Sequence, residues 1–471
     1  MNKKDYKYLF KNIGLLTISN FSSKLLMFFL VPIYSRELST EEYGTYDIIS
    51  TTIALLFPII TIDIHESVLR FSLDNGIKKQ RKSFSYGLYI MILSIILIAL
   101  AIFINHCFRF FAIIDNYAFY VFMFYIAYSL KHLMYNFSRG IERVKDYAIA
   151  SLISSMTCLS LNILFLVFIK GGLKGFIIAQ ICSFLMPVLY LSIRIKIWKY
   201  VSFTRTDKSL CREMREFSIP LIYNQIGWWI NNSSDRYVVI ALSGVSENGI
   251  YSLAYKIPSI LNAFQMVFNQ AWILSATKSF DPEDKEGFFS NIYNTYNFFM
   301  VIICSMIIMG SKLIAKIMYG PEFYNAWMYA PFLTIAVIFG ALSGVLGGVF
   351  SAVKDSRIFS QSTIIGAVIN ILLNIILVAF MGAIGAAIAT AISYIVVWFI
   401  RLYHVKKYIT FRMHLKRDCI SYILLFFMAV ILLTKLNYYI YCILQFFSFV
   451  SLLCLYKNIF SIAIDNLRKL I

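Results

Sequence analysis

The amino-acid sequence predicts an all-α integral membrane protein with about fourteen transmembrane helices. The first observation is composition: 60% of the 471 residues are hydrophobic and only 14% are charged, whereas soluble domains are about half apolar and a quarter charged. The second is that the apolar residues form long runs, which favour helices over the ten-residue alternation of a membrane barrel. The third is that lysine and arginine are concentrated in alternate loops, as in multi-pass membrane proteins.

The individual helices follow from windows of roughly 20 apolar residues. The predicted spans are 11–34, 44–66, 84–104, 117–138, 147–169, 173–193, 217–241, 249–272, 287–310, 327–352, 359–380, 383–403, 418–434 and 438–456. The basic start, Met1–Lys11, precedes the first span without a small-residue cleavage site, so we expect a retained helix and not a signal peptide. The eight cysteines have no CxxC spacing, and we expect neither a disulfide framework nor a metal or other cofactor.

The basic residues predict the orientation of the chain. The side of the N-terminus carries most of them, and Lys131, Arg139 and Arg401 are assigned to loops on that side. The opposite side is left with Arg36, Arg109, Lys170, Lys174, Lys312, Lys316 and Lys435. By the positive-inside rule, both termini are cytoplasmic. The net charge of +19 is dispersed over many loops, which excludes a nucleic-acid-binding protein.

An internal repeat divides the helices into groups. Three short patterns recur in order, at offsets of about 205–210 residues. They are Leu38–Tyr46 with Leu242–Tyr251, Val144–Asp146 with Val353–Asp355, and Gly172–Gly175 with Gly382–Gly385. We therefore predict an N-lobe over 1–205 (helices 1–6), a C-lobe over 206–410 (helices 7–12) and a C-terminal helix pair over 411–471. A parallel repeat of six helices is typical of transporters, whose site lies between the lobes near the midplane.

Polar side chains inside the spans are the candidate substrate contacts, because charge is costly in lipid. Basic residues lie well inside three spans: Lys24, Arg236 and Lys256. Asn20 shares the face of Lys24, and Asn224, Asn231 and Asp235 form one stripe on the seventh helix. Cations in an otherwise apolar cavity favour an anionic substrate such as a phosphate or carboxylate. The alternatives are that Lys24 snorkels or pairs with a carboxylate, and that Asp235 and Arg236 form a structural pair.

A second polar group lies at the end of the second predicted helix. Asp63, Glu66 and Arg70 are placed on one helical face, with His65 beside them. Such a cluster can act in gating or proton coupling. The simpler interpretation is a Glu66–Arg70 ion pair at i, i+4.

Several motifs carry a family resemblance. The segments Ile219–Pro220, Asp235–Val239, Gly249–Pro258, Pro32–Tyr34, Leu38–Tyr46 and Tyr319–Phe323 resemble those of Wzx-type polysaccharide flippases. These flippases belong to the multidrug/oligosaccharidyl-lipid/polysaccharide exporter superfamily, which includes drug antiporters and lipid II flippases.

The resemblance, which covers helices 1–12, implies a two-lobed carrier in the bacterial cytoplasmic membrane. It would move undecaprenyl-pyrophosphate-linked oligosaccharides to the outer leaflet by alternating access, for O-antigen, capsule or exopolysaccharide synthesis. Related flippases have basic residues on helices 1 and 8, where this chain has Lys24 and Lys256. On this model Lys24, Lys256 and Arg236 hold the pyrophosphate and amide side chains contact sugar hydroxyls. The glycan polymerase and chain-length machinery would be partners.

Three other functions remain open from the sequence. An ion-coupled drug antiporter would favour carboxylates over lysines in its cavity, and a lipid II flippase would share the cationic one. A membrane polymerase or acyltransferase is the alternative from another class. The sequence His414–Asp418 has the HxxxD spacing of some acyltransferases, but it lies in a short basic loop. We therefore expect a transporter and not an enzyme.

Overall fold

The regular structure is helical throughout the part of the chain that the computed structural model describes: residues 26, 28–73, 76–202, 207–278, 280–353, 355–410, 412–434 and 436–457. The predicted fold class is thus confirmed. Eight of the described helices are long and apolar enough to cross a membrane. Most of the first predicted span lies outside the described residues, and the count of fourteen stays a prediction.

The chain forms two compact units, Met1–Ser233 and Ser234–Ile471. The division falls within one long helix, whereas the predicted lobe boundary lies in the loop before it, at residues 205–206. The three predicted segments, 1–205, 206–410 and 411–471, therefore stay a prediction.

The described part of the first unit contains eight complete α-helices and the start of a ninth. They are α1 (Val31–Glu37), α2 (Thr40–Ile60), α3 (Ile64–Ser72), α4 (Ile77–Phe108), α5 (Ala112–Asn116), α6 (Ala118–Gly140), α7 (Val144–Asn162, continued as a π-helix over Ile163–Phe168), α8 (Gly172–Ile195) and α9 (Lys208–Ser243). Helix α3 packs against α4 and α6, and α8 packs against α6 and α7. Their apolar faces form a core that includes Val68, Phe84, Tyr125 and Phe137.

The described part of the second unit contains the end of α9 and eight further α-helices. They are α10 (Val245–Ala254), α11 (Lys256–Lys278), α12 (Phe288–Met318), α13 (Ala330–Ala352), α14 (Ser356–Met381), α15 (Ala383–Val405), α16 (Leu415–Leu433) and α17 (Tyr438–Leu455). Helix α13 is the central element, since most of its side chains are buried and it packs against α11, α12 and α15. Helices α16 and α17 pack on each other and on α12.

The second predicted helix, 44–66, is wrong as a single helix, because the chain breaks between α2 and α3. Pro58 lies in the last turn of α2. Ile62 (φ 47°) and Asp63 (φ 53°) then adopt the left-handed conformation, which costs a β-branched residue such as isoleucine the most. Periodicity continues across the break, so the pattern of residue types does not reveal it. Asp63 consequently lies at the break and not on the helical face that carries Glu66.

The repeated patterns occupy the same place in each unit. The turns before α8 and α15 contain Gly172 (φ 52°) and Gly382 (φ 65°), both left-handed. At the other end of these helix pairs, an aspartate joins the start of one helix to the end of the next. Asp146 accepts from Arg194 (3.2 Å), and Asp355 accepts from the hydroxyl of Tyr408 (2.5 Å). The sequence repeat therefore corresponds to a repeat of local structure.

Candidate functional site

A polar cavity lies inside the first unit. Its volume is about 290 Å³, and helices α2, α3, α6, α7 and α9 contribute to its wall, which contains Ala54, Phe57, Pro58, Asp63, His65, Glu66, Tyr128, His132, Tyr135, Asn136, Arg139, Tyr147 and Gln225. The wall combines two carboxyl groups, two imidazoles and one guanidinium with four aromatic rings.

The imidazole of His65 lies between the two carboxyl groups. Its Nδ1 is 3.3 Å from Oδ1 of Asp63, and its Nε2 is 3.7 Å from Oε1 of Glu66. Asp63 is completely buried, His65 is nearly so, and the side chain of Glu66 is one-third exposed. Both carboxyl oxygens of Asp63 and Nδ1 of His65 lack a hydrogen bond of normal geometry within the described structure. Buried polar atoms are almost always bonded, so a buried carboxyl group with neither oxygen bonded is unusual.

Helix α6 supplies the opposite wall. Tyr128, His132, Tyr135 and Arg139 recur at i, i+4, i+7 and i+11, so they line one face. The ring of His132 meets that of His65 edge-on at a centroid distance of 5.6 Å. The sequence prediction missed this face because Arg139 was counted as a loop charge. The same spacing had identified the polar stripe on the seventh predicted helix, so the residue pattern was sufficient to find it.

The predicted gating residues divide into two groups. Asp63 and Glu66 line the cavity, as expected, whereas Arg70 is exposed near the end of α3 and is not part of the cavity wall. In its place the wall has Arg139, whose guanidinium lies 3.3 Å from the amide oxygen of Asn136. Gln225 of α9 joins the wall from the adjacent helix.

Two basic residues assigned to loops lie within helices. Lys131 is in the middle of α6, and its ammonium lies 4.5 Å from the ring centroid of Phe184. Arg401 is buried in α15 and donates to the carbonyl of Ser343 (2.8 Å) and the hydroxyl of Ser362 (3.0 Å). Both assignments were wrong, because a lysine or arginine one or two turns from a span end can be either exposed or packed. The orientation they supported stays a prediction.

In the second unit, Asp235 is buried and fully engaged. It accepts hydrogen bonds from the hydroxyls of Tyr251 (2.6 Å) and Tyr255 (2.5 Å). The guanidinium of Arg236 lies over the ring of Tyr255, 5.5 Å from its centroid. Asp235 therefore holds two tyrosines, and one of them supports Arg236.

Lys256 lies at a second helix break. Helix α10 ends at Ala254 and α11 begins at Lys256. The lysine is partly exposed, and no ion pair joins it to a carboxylate among the described residues. A cation in the first turn of a helix is opposed by the helix dipole. An anion at this position would offset that repulsion.

The remaining predicted contacts are distributed as follows. Asn224 of α9 is exposed, and the amide of Asn231 donates to the carbonyl of Gly227 at 3.0 Å. Asn20 and Lys24 lie outside the described residues. The groups of His, Cys, Asp and Glu in the described ranges include no arrangement of three or more that could hold a metal ion.

The HxxxD sequence serves packing in the second unit. Asp418 is fully buried, and it accepts from the guanidinium of Arg417 (2.8 Å) and the hydroxyl of Tyr456 (3.1 Å). The same hydroxyl accepts from Asn297 of α12 (3.0 Å). This network attaches α16 and α17 to α12. It leaves Asp418 enclosed by structural partners, which does not favour acyltransferase chemistry.

A family model described as "Polysaccharide biosynthesis protein" matches residues 9–273, more than half of the chain. A comparison with curated protein sequences finds no match. Among solved structures, the chain is similar to a lipid II flippase, MurJ, in an inward closed conformation. That likeness has a TM-score of 0.64 at 17% identity and covers 95% of this chain and 99% of the other.

Two further likenesses are to exporters of the MOP superfamily. One is an inward-facing multidrug resistance MATE family transporter, with a TM-score of 0.63 at 13% identity over 82% of this chain and 95% of the other. The other is a transporter from Pyrococcus furiosus, described as having a binding pocket of reverse polarity, with a TM-score of 0.56 at 14% identity over 84% and 95% of the two chains. At these identities the likenesses establish the fold. The relatives are flippases and transporters, in agreement with the expectation that the chain is not an enzyme.

Proposed function

Because the chain belongs to the polysaccharide biosynthesis protein family and has the fold of a lipid II flippase, we propose that it moves undecaprenyl-pyrophosphate-linked oligosaccharide repeat units across the membrane. The movement occurs by alternating access, from the cytoplasmic to the outer leaflet. The product feeds the assembly of O-antigen, capsule or exopolysaccharide. The membrane is the bacterial cytoplasmic membrane, with both termini in the cytoplasm, and the polymerase and chain-length machinery act next.

The observation that carries this proposal is the position of Lys256. A cation without a carboxylate partner among the described residues occupies the first turn of α11, where the helix dipole opposes it. Such a placement is unfavourable in the absence of a ligand. A pyrophosphate would offset both the charge and the dipole, because helix N-termini and basic side chains bind the same anions.

The other predicted residues have supporting roles. Lys24 and Arg236 contribute further positive charge toward the pyrophosphate. Asn20, Asn224 and Asn231 contact sugar hydroxyls. Asp235 acts through Tyr255, which it holds by a hydrogen bond beneath Arg236; it is a positioning residue.

Coupling is assigned to the cavity of the first unit. Asp63 and Glu66 are the gating residues in this proposal. A gating role for Arg70 has less support, because Arg70 is exposed and does not line that cavity.

The test is a translocation assay in proteoliposomes that contain the purified protein and a fluorescent lipid-linked oligosaccharide. Loss of one charge-assisted contact of 1.5–3 kcal/mol should slow translocation by roughly 10- to 150-fold in Lys256→Ala and Lys24→Ala. The control is Lys312→Ala, since that lysine stacks on Trp327 (4.6 Å) and Tyr441 (4.8 Å) and has no proposed ligand. Equal initial rates for the wild type and both variants, with equal protein incorporation, would exclude a cationic substrate site.

A drug antiporter is the second candidate, and the two carboxyl groups of the first cavity favour it. Acidic groups among aromatic rings suit an organic cation. The same proteoliposomes therefore receive a fluorescent organic cation in place of the lipid-linked glycan. Accumulation of the dye without glycan translocation would favour the antiporter over the flippase.

A further inference from the structure

The break between α2 and α3 combines backbone strain with a buried acid. Ile62 and Asp63 are both left-handed, although neither is glycine. Asp63 occupies the N-cap position of α3, yet its side chain accepts no hydrogen bond from the first turn of that helix. Aspartate is among the preferred N-cap residues because its carboxylate usually accepts such a bond. At this break the carboxyl group faces the cavity and His65 in place of the helix.

The carboxyl group of Asp63 lacks a permanent cation as partner. Its only ion contact among the described residues is with the imidazole of His65, at 3.3 Å. An ionised carboxylate that is buried without a cation or hydrogen bonds is strongly unfavourable. The donor beside Asp63 is the neutral side-chain amide of Gln225, which offsets a buried negative charge less than a cation does. A bound proton or small cation would therefore stabilise Asp63 in this conformation. An imidazole is a poor ligand for alkali cations, which prefer oxygen, whereas it accepts and donates protons readily.

We propose that Asp63, His65 and Glu66 form a proton relay that sets the conformation of the break between α2 and α3. In the transfer step, a proton on Glu66 moves to Nε2 of His65, and the proton on Nδ1 of His65 moves to Asp63. Glu66 ends as the carboxylate, His65 stays neutral in its other tautomer, and Asp63 ends as the acid. One proton thus passes from the partly exposed carboxyl group to the fully buried one.

The groups that face this relay define its electrostatics. Helix α6 presents Tyr128, His132, Tyr135 and Arg139, helix α7 presents Tyr147, and α9 presents the neutral Gln225. The permanent positive charge among them is Arg139, which favours the ionised form of Glu66. The charge of the relay therefore rests on Glu66 when the proton is on Asp63.

The protonation state of Asp63 is linked to the backbone through its N-cap position. When Asp63 is ionised, it competes for the backbone N–H groups in the first turn of α3, where those of Ile64 and Glu66 now donate to the carbonyls of Thr61 and Asp63. Accepting from them requires the extended backbone that N-cap residues adopt, which would also relieve the left-handed strain. Loss of the proton therefore straightens or redirects the break, and gain of the proton restores it. This inference rests on the proposed function for its role in transport, as the coupling site of the flippase.

The test measures protonation directly, in the full-length protein without substrate. Infrared spectra across a pH titration are expected to show the C=O stretch of a buried carboxylic acid in the wild type, and Asp63→Asn should abolish it. Asp207→Asn is the matched control, since that aspartate is half-exposed in the same unit and its substitution should leave the band unchanged. If the band persists in Asp63→Asn, or if sodium ions displace it at constant pH, the relay is overturned.

A second measurement separates the relay from the proposed function. An imposed proton gradient should accelerate glycan translocation by the wild type and leave Asp63→Asn unaffected, a coupling loss of roughly 5- to 150-fold. His65→Gln should lose the same acceleration, because glutamine cannot transfer a proton. If the wild type translocates glycan without any response to the gradient, the coupling role fails and the flippase stands. If the protein shows the pH-dependent acid band but moves no glycan, the protonation of Asp63 stands and the proposed flippase function fails.

Discussion

The two units each bury an aspartate beside a helix break, and the two aspartates are bonded in opposite ways. Asp235 accepts two short hydrogen bonds, from Tyr251 and Tyr255, next to the break before Lys256. Asp63 lies at the break after α2, and both of its carboxyl oxygens lack a well-formed hydrogen bond in the described structure. Both side chains are almost completely shielded from solvent. Burial is therefore the same, and the bonding differs.

This difference separates a structural acid from a functional one. A buried carboxylate with all its hydrogen bonds formed holds its neighbours in place, and its removal leaves their buried donors without a partner. An unsatisfied buried carboxyl group contributes little to stability, so its presence calls for another explanation. The left-handed glycines at Gly172 and Gly382 give the two units a similar local turn, whereas their buried aspartates are bonded differently.

The largest expected effect on stability is that of Asp235→Leu. It removes the acceptor of two tyrosine hydroxyls, at a cost of roughly 2–5 kcal/mol. Asp63→Leu should change the free energy of unfolding by less than about 1 kcal/mol, because it removes a buried carboxyl group whose oxygens lack a well-formed hydrogen bond. Thermal unfolding midpoints in detergent, measured for both variants beside the wild type, test the comparison. Equal losses for the two variants would show that bonding does not distinguish these acids.

A smaller difference is expected between Gly385→Ala and Gly175→Ala, which are equivalent positions in the two units. A Cβ atom at Gly385 would lie 2.3 Å from the carbonyl oxygen of Leu377, whereas one at Gly175 would lie 3.1 Å from Cβ of Phe165. The contact at Gly385 is far below van der Waals distance and is made with backbone, whereas the contact at Gly175 needs a shift of only a few tenths of an ångström. We expect a loss of roughly 2–3 kcal/mol for Gly385→Ala and about 1 kcal/mol for Gly175→Ala. The same unfolding measurement decides, and a larger loss in Gly175→Ala would contradict the difference in contacts at these two glycines.

Most of the helical framework could be predicted because apolar runs and glycine turns are local features. The predicted span 383–403 is observed as α15. The break between α2 and α3 could not be predicted, since it depends on left-handed residues that are not glycine. A sequence pattern carries no indication that tertiary contacts hold Ile62 in that conformation.

The candidate sites were predicted only in part for a related reason. Residue types and spacing identified Asp63, Glu66, Arg236 and Lys256 as polar groups in apolar surroundings. Whether such a group is bonded depends on partners that are distant in sequence, and Tyr251 is one example for Asp235. The spacing on α6 would have revealed His132 and Arg139 had helix ends not been treated as loops.

The most direct test of the account is a comparison of two cargo lipids in the same proteoliposomes. One carries the oligosaccharide on a polyprenyl pyrophosphate, and the other carries it on a neutral polyprenyl glycoside. If Lys256 and the other basic groups hold an anion during transfer, the pyrophosphate-linked lipid should cross at least about tenfold faster than the neutral one. That ratio corresponds to the free energy of one charge-assisted contact. Lys256→Ala should reduce the ratio. Equal rates for the two lipids would contradict the proposal that this protein recognises an anionic lipid-linked glycan.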